Sequence, residues 1–171
     1  MGNNELRKRI SGIFAPACIV TTPMQPTDLC CLLYVSTATQ IFSEADMQEM
    51  LREARDRNDA NEITGLLIYG AGHFLQVLEG THEKVTETYV RICADNRHER
   101  VTKMLEEPVD SRFFQDWSMA YRLYPSAQVP ENPSLQAILT NEAKGTMEMV
   151  RELLRIFQSG LGGGGVGEAP A

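Results

Sequence analysis

The sequence predicts an α+β fold: a mixed sheet with two helices packed on one face. Three observations predict it. Short runs rich in strand-forming residues recur along the chain, as in "LCCLLYVS", "EITGLLIYG", "HFLQVLEG" and "RVTKMLEEPV". Between them lie stretches whose apolar residues fall at helical spacing. The order that results is β-α-β-β-α-β-β, a split βαβ pattern with an extra strand, that is, a ferredoxin-like arrangement.

Each element has its own signal. Leu29–Ser36 reads as the first strand. Ser43 opens a helix, with Asp46 three residues on in a capping-box-like position. Met47, Met50, Leu51 and Ala54 form its apolar stripe, and Asn58 lies near its end. The second and third strands are joined as a hairpin through Gly70-Ala71-Gly72. Thr81 caps a second helix with the stripe Val85, Tyr89 and Ile92, and the polar loop 94–98 follows. The fourth strand places Val101, Lys103 and Leu105 on one face and ends at Pro108. A fifth, "DWSMAYR", places Trp117, Met119 and Tyr121 on one face. The segment from Asn132 to Gln158 reads as two helices that can cover the second face of the sheet. The second of them carries Met147, Val150, Leu154 and Phe157. The expected organisation is an N-terminal extension over 1–28, one domain over 29–124, a helical appendage over 125–158 and a glycine-rich disordered tail over 159–171.

Composition narrows the function. The chain has 171 residues, 43% of them hydrophobic, which is enough for one domain with a real core. The net charge of -7, with no basic tract beyond Arg7-Lys8-Arg9, argues against direct contact with nucleic acid. The four cysteines form no CxxC pair and point to free thiols in a cytoplasmic protein. No apolar run approaches the roughly 20 residues that a membrane span needs. Pro16 breaks the only stretch with a signal-peptide look. No metal-ligand set, GxSxG, HExxH or GxGxxG occurs, so neither metal-centred nor triad catalysis is expected.

One residue resists the simple pattern. Gln76 sits inside the apolar run Phe74–Leu78. A buried amide without partners costs roughly 1–3 kcal/mol. It bonds either a neighbouring core group or a ligand. Tyr34 and Ser36 share a face of the first strand, and neighbouring first and third strands would bring Tyr34 to Gln76. Arg57 and Asn58 end one helix, and Asp95, Arg97 and His98 follow the other. A flat, apolar ligand with polar atoms at its edge, held between the helices, would touch all of these groups.

The motifs "LLYVS", "RNDANEITGLLIYG", "HFLQVLEG", "DNRH" and "FQDWSMAYR", in that order, resemble the BLUF domain, a blue-light sensor that uses FAD. The resemblance spans about Leu29 to Arg122. It implies a flavin ring between the two helices, as FAD or else FMN or riboflavin. It implies that Tyr34 is the redox-active tyrosine, Gln76 the switching glutamine and Asn58 the amide on the polar ring edge. Ser36 matches the small hydroxyl residue near the tyrosine. Asp95, Arg97 and His98 match the loop at the ring edge and ribityl chain, and Arg57 falls at a variable position beside the ring. Trp117 and Met119 match a pair on the last strand that relays the signal. In the mechanism so implied, light drives an electron and then a proton from Tyr34, and Gln76 ends rotated, tautomerised or both. The implied role is a non-enzymatic photoreceptor acting on a downstream signalling protein, with homo-oligomers expected. The alternatives are a small ferredoxin-like hydrolase, against which the absence of an arginine in "STATQIF" counts, and a light-insensitive flavin-binding or interaction module.

Overall fold

The computed structural model describes residues 23–124 and 145–159. The elements are β1 (Leu29–Ala38), α1 (Glu44–Ala60), β2 (Thr64–Gly70), β3 (His73–Thr81), α2 (His82–Cys93), β4 (His98–Pro108), β5 (Ala120–Tyr124) and α3 (Met147–Ser159). The sheet order is β4-β1-β3-β2-β5, antiparallel except for the β2–β5 pair. This is the expected split arrangement: β3 lies between β1 and β2.

Alternation along β1 explains why its middle is buried on both sides. Cys30, Leu32 and Tyr34 face α1 and α2 with Met47, Leu51, Phe74 and Val85. Cys31, Leu33 and Val35 face the other layer, where Val150 and Leu153 of α3 complete the core. The second face is therefore covered by the C-terminal region, as its helical pattern suggested. Leu153 is the buried partner of Val150, and Leu154 is only half-buried. The first of the two expected C-terminal helices falls mainly on residues outside those described, as do the extension before Pro23 and the glycine-rich tail.

Local chemistry sets the element ends. Ser43 and Asp46 form a reciprocal capping box at the start of α1. That helix runs to Ala60, so Asn58 lies within its last turn. Thr81 occupies the cap position of α2 without a side-chain bond. The carbonyls of Asp28 and Pro26 take the first amides instead, at 2.8 and 3.0 Å from His82 N and Glu83 N. The β2–β3 hairpin turns on Ala71 and Gly72, whose φ values of 50° and 78° match a two-residue type I′ turn.

Three expectations fail, in β4 and at the start of β5. The pairing of β4 with β1 slips at two bulges, beside Tyr34 and beside Val35–Thr37. The first inserts Met104, so Val101 packs towards α1 and α2 whereas Leu105 packs towards α3. Val101 and Leu105 thus do not share a face. β4 also begins at His98, which pairs with Ala38 and is not loop. The third correction concerns the last strand. β5 starts only at Ala120, so Trp117 and Met119 precede it. The chain is irregular there, and strict alternation does not apply. Met119 and Tyr121 pack towards α1 and α2, whereas Trp117 packs against the α3 layer.

Candidate functional site

Among the described residues five polar side chains are buried: Ser36, Asn58, Gln76, Glu79 and Thr88. Asn58, Gln76 and Thr88 line one cleft between α1 and α2, and Ser36 bonds a residue that lines it. Buried polar groups concentrated at one place mark a site rather than a stabilising core.

The β1–β3 register brings Tyr34 directly opposite Gln76. The Tyr34 hydroxyl donates to Gln76 Oε1. Gln76 Nε2 donates to Met119 Sδ at 3.3 Å. The amide is thus held by one strong partner and by one thioether, a weak acceptor. Burial pushes the Tyr34 phenol well above its ordinary pKa. The phenol therefore stays protonated at any physiological pH.

His98 lines the same cleft. Its Nδ1 lies 2.8 Å from Ser36 Oγ, and its ring centre is 4.5 Å from that of Phe74. Burial lowers its pKa to about 4, so the imidazole is neutral at pH 7. It offers one N–H donor and one acceptor nitrogen.

At the cleft mouth Arg97 binds Asp95 through Nη2 at 2.6 Å and reaches Glu53 of α1 through Nη1 at 3.4 Å. The guanidinium holds the Asp95 carboxyl below the usual carboxylate range. Arg57 is exposed and bonds Glu53 at 3.1 Å. Asn58 Nδ2 donates to the Ser118 carbonyl at 2.7 Å, which leaves Oδ1 as an acceptor.

The cleft thus unites Arg57, Asn58, Gln76, Asp95, Arg97 and His98. Tyr34 and Ser36 stand behind Gln76 and His98, one bond away. Met119 joins the site through its sulfur. Trp117 does not reach it. Sequence reasoning missed the apolar walls Met50, Leu67 and Ile92, and also Thr88. It missed Glu53, which ties α1 to the 95–97 loop. The walls carried a usable signal, because Met50 and Ile92 sit on predicted apolar stripes. The role of Glu53 depends on a contact across the cleft and had none.

This donor set fits an isoalloxazine ring. Met50, Leu67 and Ile92 offer apolar contact to its faces, and Asn58 and Gln76 offer amides to its carbonyls and imide N–H.

The family model for BLUF, sensors of blue-light using FAD, matches residues 29–120. The chain belongs to this family. FAD is therefore the cofactor of its class. Photoactivated adenylate cyclase subunit beta of Euglena gracilis is 34% identical over 119 residues, which are 69% of this chain and 14% of that protein. The blue light- and temperature-regulated antirepressor BluF of Escherichia coli (strain K12) is 37% identical over 68 residues, 40% of this chain and 17% of that protein. The chain thus spans only a small part of the curated relatives it matches. Among solved structures, the dark state of the BLUF protein BlrB superposes with a TM-score of 0.63 at 32% identity, covering 79% of this chain and 99% of BlrB. The photo-activated state of BlsA gives a TM-score of 0.59 at 27% identity, covering 75% and 94% of the two chains. No described helix is long and apolar enough to cross a membrane.

Proposed function

We propose that this BLUF chain is a blue-light photoreceptor that holds FAD between α1 and α2 and signals through the residues before β5. The observation that carries the reading is the bond from Tyr34 to Gln76, with Gln76 itself in the cleft wall. Bound flavin, once excited by blue light, supplies the oxidant and the proton acceptor. Tyr34 loses an electron, and its phenol proton leaves along the bond to Gln76 Oε1. Gln76 that gains a proton on oxygen releases one from Nε2, which is the imidic tautomer. When Tyr34 regains its electron and proton, Gln76 is left rotated, tautomerised or both. Rotation breaks its old bond to Met119, whose thioether can only accept.

Asn58 orients the ring edge, Asp95 and Arg97 hold the mouth, and neutral His98 with Ser36 completes the polar wall near Tyr34. Arg57 contributes at the rim. Met119 takes the first displacement and passes it to the Trp117 backbone and so to the α3 layer. The output is contact with a downstream signalling protein or a second copy of the chain, in the cytoplasm, without substrate turnover, membrane attachment or nucleic-acid binding. FMN or riboflavin, which carry the same ring, would offer these cleft residues the same polar edge.

The test is amide hydrogen exchange in α3 of the FAD-loaded chain, in darkness and under blue light. A reversible change in protection over residues 147–156 supports the output route. Identical exchange in both states refutes it.

A further inference from the structure

Glu79 is fully buried and takes no part in the cleft. Alternation along β3 places it on the face opposite Gln76, beneath the segment that joins β4 to β5. Its Oε1 accepts the Phe113 amide at 2.9 Å. Its Oε2 accepts the Phe114 amide at 2.9 Å and the Thr64 hydroxyl at 3.3 Å. Arg112 Nη1 donates to Thr64 Oγ1 at 3.0 Å and to the Glu79 backbone carbonyl at 2.9 Å. Burying a carboxylate is costly, and an apolar residue of similar volume would serve the core as well or better. Glu79 therefore calls for an explanation other than stability.

The explanation lies further along the same segment. Three successive carbonyls are each gripped by another element. Trp117 O accepts from Gly65 N at 3.1 Å, Ser118 O from Asn58 Nδ2 at 2.7 Å and Met119 O from Arg55 Nε at 3.1 Å. Met119 Sδ accepts from Gln76. The segment is thus tied to β3 twice, at Glu79 on one face and at Gln76 on the other. At the Glu79 end it meets α3, where the Arg151 guanidinium lies 5.8 Å from the centre of the Phe113 ring.

We propose that Glu79 is a positioning residue of the light response: its carboxylate fixes the 112–114 end of the segment, so that a displacement of Met119 by Gln76 moves Trp117 instead of sliding the whole segment. This deepens the photoreceptor reading and rests on it.

The test is Glu79→Gln in the full FAD-loaded chain. Glutamine keeps the shape but offers one acceptor oxygen where three donors converge, and its NH2 faces an N–H. Tyr34, Asn58 and Gln76 are untouched, so flavin binding and the size of the red shift stay as in the wild type. Trp117 is the only tryptophan in the chain, so its emission reports the segment alone. The expected results are faster amide exchange at Phe113 and Phe114, by about tenfold or more, and loss of the light-dependent change in Trp117 emission. Glu106→Gln on β4 serves as control and changes neither. If Glu79→Gln shows a wild-type Trp117 light response, the proposal is overturned, even if the variant is less stable. Thr64→Val, which removes one donor to the carboxylate and one acceptor for Arg112, carries the same expectations if Glu79→Gln does not fold. A wild-type chain without a red shift defeats the photoreceptor reading instead, while the exchange at Phe113 and Phe114 still tests the anchor.

Discussion

Tyr34 and Gln76 stand directly opposite each other on β1 and β3, and the phenol donates to the amide oxygen. Opposed side chains on one face of an antiparallel pair have Cβ atoms about 4.5–5.5 Å apart. The strand register therefore makes the contact without help from a loop. A slip by one residue would send Gln76 to the α3 face and break the site. The hairpin turn at Ala71-Gly72 and the two apolar faces both hold this register.

Removing the Tyr34 hydroxyl removes the proposed redox donor and leaves Gln76 Oε1 without its partner. Tyr34→Phe should bind flavin in darkness and show no reversible red shift. It should also lose about 1–2 kcal/mol of stability in a dark chemical-denaturation curve. A normal red shift in this variant would contradict the assignment.

Met119→Leu conserves volume but deletes the sulfur that accepts from Gln76. The weak bond is one determinant of how readily the amide turns. The shift should survive, while its dark recovery changes by about threefold or more, since each 1.4 kcal/mol in a barrier is about tenfold. Flash photolysis measures this directly. An unchanged recovery would mean that Met119 does not restrain Gln76.

Asn58→Ala removes the proposed polar contact to the ring edge together with the bond to the Ser118 carbonyl. FAD affinity should fall by about ten- to a hundredfold in a dark titration, the range expected for one to two lost hydrogen bonds. Affinity equal to the wild type would place the ring edge elsewhere.

Much of this was legible in the chain, because short-range signals agreed with the fold. The capping box at Ser43 and Asp46, the turn at Gly70–Gly72 and the alternation in β1 and β3 each depend on neighbours in sequence. Tyr34 and Gln76 could be paired on paper once β1 and β3 were taken as neighbours. What escaped depends on contacts between distant segments or on a break in periodicity. The bulge at Met104 reverses the faces of β4 without altering composition. Trp117 departs from the face of Met119 because β5 begins only at Ala120. The roles of Glu53, Arg55 and Glu79 appear only in contacts between segments distant in sequence: Glu53 with the 95–97 loop, and Arg55 and Glu79 with the β4–β5 segment.

His98 gives the flavin-free chain a pH signature. Burial lowers its pKa from 6.5 to about 4. Between those values the unfolded chain takes up a proton that the folded chain refuses, so stability rises with pH. The contribution is complete above about pH 6.5, is lost on acidification and levels off below about 4. It amounts to at most about 3 kcal/mol. Asp95, held below its ordinary pKa, acts in the same sense at lower pH, and Glu79, raised by burial, acts in the opposite sense. The difference between wild type and His98→Gln isolates the effect. Urea midpoints from pH 4 to 7 should fall less steeply on acidification in the variant, and parallel curves would show that His98 is protonated alike in both states.

The most direct test of the account is the visible absorption spectrum of the FAD-loaded protein, recorded in darkness and just after blue light. The account predicts a flavin spectrum that shifts slightly to the red with its shape kept and returns in the dark, and a Gln76→Leu chain that binds flavin without shifting. A wild-type spectrum that bleaches, or one that light leaves unchanged, would contradict the Tyr34–Gln76 switch.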